Sequence, residues 1–161
     1  MVLLNKKLNE DFIFYHILEF LKTNDWNLIG GEPPDGTSDD VQRIVIRDSK
    51  SLDNSKNKNT QKIDLMAIKS GILLLIELKP SFDMKDKEKL DNLVSNKIFD
   101  VFNAIEERTE IRRENIIECV KCLGFANFSE YPKLNDFSVF LVDPKGVVEL
   151  KKGTNMSQWS I

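Results

Sequence analysis

The pattern of apolar and polar residues is most regular in the middle of the chain. Residues 62–79 read KIDLMAIKSGILLLIELK, two apolar runs interrupted by Ser70 and Gly71. A two-residue turn of this kind connects antiparallel strands, so the pattern predicts a β-hairpin. Both faces of the hairpin are apolar, which is typical of interior strands that helices cover on both sides.

The tight turn determines which residues of the hairpin face each other. Paired residue numbers keep a constant sum, so Asp64 is expected directly across from Glu77. Directly opposed Cβ atoms lie roughly 4.5 to 5.5 Å apart, close enough for two carboxylates to hold one hard metal ion. Lys79 shares the face of Glu77, whereas Leu78 points away. Because like charges at this distance repel, the arrangement favours a bound cation.

A second interpretation of Asp64, Glu77 and Lys79 is a buried ion pair or a solvated strand end. Polar side chains at the ends of apolar strands are costly to bury unless they are paired or bound to a metal. The three residues alone are compatible with both interpretations.

The flanking segments predict helices before and after the hairpin. An amphipathic helix is expected from about Leu8 to Thr23, with Glu10 on its apolar side, where it either stabilises the helix dipole at an exposed end or reaches into a site. A long helix capped by Asp83 is expected to end near Glu107. Further strands are expected at residues 25–31, 41–47, 137–142 and 147–151. Residues 115–124 are compatible with a strand or a helix, and their Ile, Val and Cys content favours a strand. Residues 48–61 predict a solvated loop that either only connects or, being basic, contacts phosphates.

The composition is that of a single domain with its own core, at 161 residues with 41% hydrophobic and 30% charged content. No stretch approaches the ~20 apolar residues of a membrane span, and the N-terminus becomes polar too early for a signal peptide, so a cytoplasmic protein is expected. Cys119 and Cys122 lack the further ligands of a zinc site and are expected to be ordinary reduced cysteines. The net charge of −3 leaves the partner open.

Asp64 and the Glu77-Leu78-Lys79 element, set across a hairpin between an earlier and a later helix, resemble the PD-(D/E)XK nuclease superfamily, which includes restriction endonucleases. One departure is that Ile63, not proline, precedes Asp64, and the literal Pro-Asp pair at residues 34–35 falls in a turn with no hairpin partner. The resemblance implies an α/β, restriction endonuclease-like core with a central mixed β-sheet, helices on both faces and the order αβββαβ.

The resemblance also implies a chemistry. It implies a Mg²⁺-dependent deoxyribonuclease of restriction type, in which Mn²⁺ can substitute for Mg²⁺ and which acts on DNA as a homodimer or higher symmetric oligomer. Asp64, Glu77 and the Leu78 carbonyl would bind the metal, and Glu10 would bind a second ion or a water on the first. Lys79 would orient or help deprotonate the attacking water. Arg43 and Lys89 are expected to contact phosphates.

Three alternatives stay open. One is a homing, repair or Holliday-junction-resolving nuclease of the same superfamily. Another is a non-catalytic module that binds DNA or protein, and the last is an unrelated α/β domain in which Asp64, Glu77 and Lys79 form a structural ion network. Facing carboxylates bring no benefit to a protein that binds no cation, which favours the nuclease.

Overall fold

The computed structural model describes residues 8–34, 41–49 and 60–153, which contain both helices and strands. Their order is α1 (Glu10–Thr23), β1 (Asn27–Gly31), β2 (Val45–Arg47), β3 (Thr60–Lys62), β4 (Leu65–Lys69), β5 (Ile72–Leu78), α2 (Met84–Asn96), α3 (Ile98–Arg108), a 3₁₀ helix (Arg113–Asn115), β6 (Glu118–Ala126), β7 (Ser138–Val142) and β8 (Val148–Lys151). The chain is therefore an α/β protein.

Six strands form one mixed sheet in the order β1-β4-β5-β6-β7-β8. The strand pairs β5-β6 and β6-β7 are parallel, and the remaining neighbours are antiparallel. Strands β2 and β3 pair with each other in a separate small sheet. The predicted hairpin is formed by β4 and β5 and lies inside the large sheet, as its two apolar faces indicated.

Helices cover both faces of the large sheet, which confirms the predicted layering. On one face the buried side chains are Ile13, Phe14, Ile17, Leu18 and Leu21 of α1 with Leu65, Ala67, Leu74 and Ile76 of the hairpin. On the other face they are Leu90, Leu93, Val101, Ala104 and Ile105 of α2 and α3 with Met66, Leu73 and Leu75. The predicted order αβββαβ is not confirmed, because two helices follow the hairpin and β2 and β3 lie outside the large sheet.

The turn of the hairpin has the predicted geometry. Ser70 and Gly71 both have positive φ, at 53° and 79°, as the tight turns that match the twist of paired strands require. The observed pairs run from Lys69 opposite Ile72 to Leu65 opposite Ile76. The register on which the candidate site depends is therefore confirmed.

Two predicted elements need correction. The long helix after Asp83 is two helices, which meet at Lys97, where the backbone is neither helical nor extended, with φ of −132° and ψ of 23°. Ser95 and Asn96 precede the break, and such side chains compete with helical hydrogen bonds for the backbone. The strand predicted at residues 41–47 begins only at Val45, and its partner β3 lies within a segment predicted to be loop.

The other elements agree with the prediction. Asp83 caps α2 by accepting a hydrogen bond from the Lys85 amide at 2.9 Å, and the strands near residues 27–31, 115–124, 137–142 and 147–151 are present. Cys119 and Cys122 are free thiols. Within the described ranges, no helix has the length and apolar character needed to cross a bilayer. Residues 50–59 of the predicted loop, Asp35 and residues 1–7 lie outside the described residues.

Candidate active site

Asp64 and Glu77 lie at the open end of the hairpin, away from the turn. Asp64 directly precedes β4, Glu77 is the last residue but one of β5, and the register continues from Leu65 and Ile76 to place them opposite each other. We refer to Asp64 and Glu77 as the carboxylate pair. Glu77 is 4% exposed, so its charge is largely withdrawn from water.

Each carboxylate of the pair accepts a hydrogen bond from the backbone of the opposite strand. The Asp64 amide donates to Glu77 Oε2 at 2.9 Å, and the Leu78 amide donates to Asp64 Oδ2 at 2.8 Å. If the strand pairing continued, Leu78 would lie opposite Ile63, but β4 begins only at Leu65. The Leu78 amide therefore donates to the Asp64 side chain and not to a backbone carbonyl of a continued strand. These hydrogen bonds hold both side chains at the same end of the hairpin.

The carbonyl of Leu78 lies at the same end of the hairpin. In an antiparallel pair, the N–H and C=O of one residue point to the same neighbouring strand. Because the Leu78 amide bonds to Asp64, its carbonyl also faces the side on which Asp64 lies. We therefore expect the Leu78 carbonyl, which the resemblance implies as a third metal ligand, on the side of β5 where Asp64 lies.

Burial and mutual repulsion disfavour the charged forms of the two carboxyl groups of the pair. Burial, followed by repulsion from Glu77, raises the pKa of Asp64 from its ordinary 3.8 to about 7. Burial also raises the pKa of Glu77, although Lys89 opposes this. A cation placed between the two groups would relieve both effects.

Lys89 of α2 supplies the cation closest to the pair. Its Nζ atom lies 2.8 Å from Glu77 Oε1 and donates a second hydrogen bond to the carbonyl of Lys62. The sequence predicted Lys89 as a phosphate contact. The structure places it against the carboxylate pair itself.

Lys79 follows β5 directly but turns toward the start of α2. Its Nζ atom lies 2.5 Å from Asp83 Oδ2 and 3.4 Å from Asp86 Oδ1. The hydrogen bond to Asp83 is the main reason that the pKa of Lys79 is raised, so its ammonium stays charged. The Lys79 backbone is anchored separately, because its amide donates to the Gly124 carbonyl at 3.0 Å.

Glu10 lies at the first residue of α1, where Asn9 caps the helix by accepting from the Phe12 amide at 2.9 Å. Its side chain is exposed, which corrects the expectation that it lies on the buried side of the helix. Its charge nevertheless contributes to the raised pKa of Asp64. Glu10 is therefore at an exposed helix end and also within electrostatic reach of the pair.

A charged border lies beside Asp64 at the end of β1. The Glu32 amide donates to the Asp64 carbonyl at 2.9 Å, and Glu32 Oε1 lies 3.5 Å from Lys62 Nζ and 3.6 Å from Arg43 Nη2. The preceding Gly31 allows this approach, since a Cβ there would lie 2.7 Å from the Asp64 carbonyl oxygen. Arg43, predicted to contact phosphates, is half exposed at this border.

The sequence did not single out Glu32 or Asp86 as residues near the site. Asp86 is buried, and burial raises its pKa despite the ion pair with Lys79. Its spacing of three residues from the predicted cap Asp83 places both on one side of a first helical turn, which was the available signal. The sequence around Glu32 does not indicate its contact with Asp64, because that contact depends on β1 lying beside β4.

The carboxylate pair suits a hard divalent ion by the chemistry of its donors. Mg²⁺ is commonly bound through one or two carboxylates and keeps several waters. Asp64 and Glu77, with the Leu78 carbonyl beside them, supply that number and type of ligand. Over residues 8–34, 41–49 and 60–153, the structure holds no group of three or more His, Cys, Asp or Glu side chains arranged to hold a metal ion.

No family model, no curated protein and no solved structure matches this chain.

Proposed function

We propose that this protein is a metal-dependent DNA endonuclease of restriction type, with a PD-(D/E)XK-like core. The observation that carries the proposal is the carboxylate pair, whose two side chains are held together by backbone hydrogen bonds at the end of an interior hairpin. Two like charges placed close together at the end of the hairpin lower the stability of the protein, and a bound divalent ion would offset this loss.

The residues divide the work of phosphodiester hydrolysis. Asp64 and Glu77 would hold Mg²⁺, with Mn²⁺ as a substitute, and the Leu78 carbonyl would complete the protein ligands. A bound ion would supply an activated water and would stabilise charge on the phosphate. Glu10 is close enough to influence Asp64 and would hold a water or a second ion at the exposed side.

Lys79 is best suited to act as a fixed positive charge. Its raised pKa, caused mainly by Asp83, keeps the ammonium protonated at neutral pH. A protonated amine orients water and compensates charge on the phosphate but does not accept a proton. Of the two roles implied by the resemblance, orientation of the attacking water is therefore favoured over its deprotonation.

Arg43 and Lys62 at the border of the site are the side chains proposed to approach the DNA backbone, because both are partly exposed next to Asp64. Phosphate contacts of this kind position a nuclease without reading sequence. Cutting both strands of a duplex requires two such sites, and a symmetric homodimer is the simplest way to supply them.

A specific observation supports one competing function. Lys89 is ion-paired with Glu77, and Lys79 is ion-paired with Asp83 and Asp86, as a structural ion network would require. A non-catalytic DNA-binding module could be built on that network.

The two functions are separated by a cleavage assay on linear duplex, supercoiled plasmid and four-way-junction DNA with Mg²⁺ or Mn²⁺. We expect the native protein to cut DNA, and we expect Asp64→Asn and Lys79→Ala to abolish cutting while the protein stays folded. A substrate preference for the junction would replace the restriction assignment by the resolving one.

Matched controls exist at a distance from the site. Asp25→Asn changes an exposed aspartate with φ of 66°, a conformation that asparagine also tolerates, and Lys133→Ala changes an exposed lysine. Both should cut like the native protein. DNA binding without cleavage on every substrate and with either ion would contradict the proposal and leave the binding module.

A further inference from the structure

Lys89 and the carboxylate pair form the most completely buried charge contact at the candidate site. The Glu77 side chain is 5% exposed and that of Lys89 is 26% exposed, and their charged atoms are 2.8 Å apart. The ammonium also donates to the Lys62 carbonyl, so it is held on two sides. A long lysine side chain held in this way is part of the site and not a freely moving surface charge.

Every side-chain oxygen of Glu77 already has a partner. Oε2 accepts from the Asp64 amide and Oε1 accepts from Lys89. An ion that binds both carboxylates must reach Glu77, and Mg²⁺ takes ligands at roughly 2.0 to 2.1 Å. A divalent ion and the Lys89 ammonium that share Oε1 would be close neighbours, and their like charges would repel each other.

We propose that Lys89 is the built-in counter-ion of the carboxylate pair, and that a divalent ion must displace its ammonium from Glu77 in order to bind. This inference rests on the proposed function, because it assumes that the pair takes a divalent ion. It goes further by making Lys89 the residue that sets how tightly the ion is held. Lys89 stabilises the metal-free protein and lowers the apparent affinity for the metal.

Displacement also gives Lys89 a second position. The four-carbon stem is flexible and α2 is anchored by Leu90 and Leu93 in the core, so the released ammonium remains beside the site. A phosphodiester bound there would offer the released ammonium a negatively charged partner. In this proposal, the Lys89 ammonium moves from Glu77 to the substrate when the ion binds. The move accounts for its contact with Glu77 in the structure and for the phosphate contact expected from the sequence.

The test is a titration of the metal-free full chain with Mn²⁺ by calorimetry. Lys89→Met removes the charge and keeps the length of the side chain. We expect it to bind Mn²⁺ roughly 10- to 100-fold more tightly than the native protein, because binding no longer competes with an internal cation. In chelator, the melting temperature of Lys89→Met should be lower than that of the native protein. On adding Mn²⁺, the melting temperature of Lys89→Met should rise by more than that of the native protein.

Lys87→Met is the matched control, since Lys87 lies on the same helix with a similar exposure of 28% but pairs with Asp91. It should bind Mn²⁺ like the native protein. Equal or weaker binding by Lys89→Met, with normal binding by the native protein, overturns the inference alone. Absence of any Mn²⁺ binding that Asp64→Asn removes overturns the proposed function as well.

A measurement on the native protein covers the case in which Lys89→Met does not fold. Acylation of lysines by an amine-reactive ester, read by mass spectrometry, reports how free each amine is. Saturating Mg²⁺ should increase labelling of Lys89 and leave labelling of Lys87 unchanged. Labelling of Lys89 that stays constant while the ion binds would contradict displacement.

Discussion

Two charged clusters involve α2, and they are balanced differently. At the site, Lys89 faces the carboxylate pair, whose pKa values are raised mainly by burial. The other group, which we call the balanced cluster, consists of Lys87, Asp91, Lys121 and Asp136. In it, Lys121 Nζ lies 2.8 Å from Asp91 Oδ1 and 2.7 Å from Asp136 Oδ2, and Lys87 bonds to the other oxygen of Asp91.

The balanced cluster shows what neutralisation looks like in this protein. Burial acts to raise the pKa of Asp91, but hydrogen bonds from Lys121 and Lys87 bring it below its ordinary value. Two lysines and two aspartates close the charge count there, and both lysines also lie over the ring of Phe137. The comparison teaches that proximity to lysine does not by itself make a site: two lysines share the carboxylate of Asp91, whereas one lysine serves the carboxylate pair, which is where the proposed function places a cation.

The largest expected contrast is in catalysis. Glu77→Gln should reduce DNA cleavage by roughly 10³-fold, because it removes a proposed metal ligand and its charge. Asp91→Asn removes an equally lysine-bound carboxylate on the same layer and should leave the cleavage rate unchanged. Initial rates of plasmid nicking with Mg²⁺ measure both. Similar losses in the two variants would remove the distinction between the clusters.

The next contrast is in pH dependence without metal. The folded pKa of Asp64 is about 7 and its ordinary value is 3.8, so the native state binds a proton more tightly than the unfolded chain. The free energy of unfolding should therefore decrease as pH rises from about 4 to about 7, by roughly 2 to 4 kcal/mol. Asp91, with its lowered pKa, contributes in the opposite direction.

Urea unfolding of the native protein in chelator at several pH values measures this slope. Asp64→Asn should reduce this slope and leave the contribution of Glu77, whose pKa is also raised by burial. Saturating Mg²⁺ should also reduce the slope, because metal binding requires the deprotonated carboxylates. A metal-free stability that rises steadily across this range in both the native protein and Asp64→Asn would contradict the raised pKa.

The smallest contrast is in stability at neutral pH. Asp91→Asn leaves Lys121, whose side chain is 14% exposed, with one fewer charged partner. We expect a loss of about 1 kcal/mol in the free energy of unfolding, reduced by the partial exposure of Asp91. Asp136→Asn should cost less because Asp136 is 48% exposed. Denaturant titrations rank the two variants, and the reverse order would show that Asp136 dominates the cluster.

The hairpin register could be predicted because it depends on local information. Ser70 and Gly71 fix the turn, and the alternation of the flanking residues then places Asp64 opposite Glu77. The break between α2 and α3 at Lys97 could not be predicted, since the residues before it weaken a helix only slightly and packing against β2 and the sheet decides.

The side-chain partners of the two lysines were also beyond the sequence. A lysine stem reaches several carboxylates, and the choice among them depends on where α2 lies over the sheet. Lys79 therefore contacts Asp83 and Asp86 instead of the pair, and Lys89 takes the position next to Glu77. The local sequence therefore predicted the carboxylate pair, but it did not predict the ion-pair partners of Lys79 and Lys89.

The amide of Lys79 continues the parallel ladder past the end of β5, through its bond to Gly124. Its main chain is consequently rigid while its amine is carried on rotatable carbons. Exchange of the ammonium between the aspartates of α2 and a substrate then needs only a change of side-chain rotamer, a process of picoseconds to nanoseconds for partly exposed residues. Under the proposed function, moving the ammonium toward a substrate would thus need no movement of the main chain.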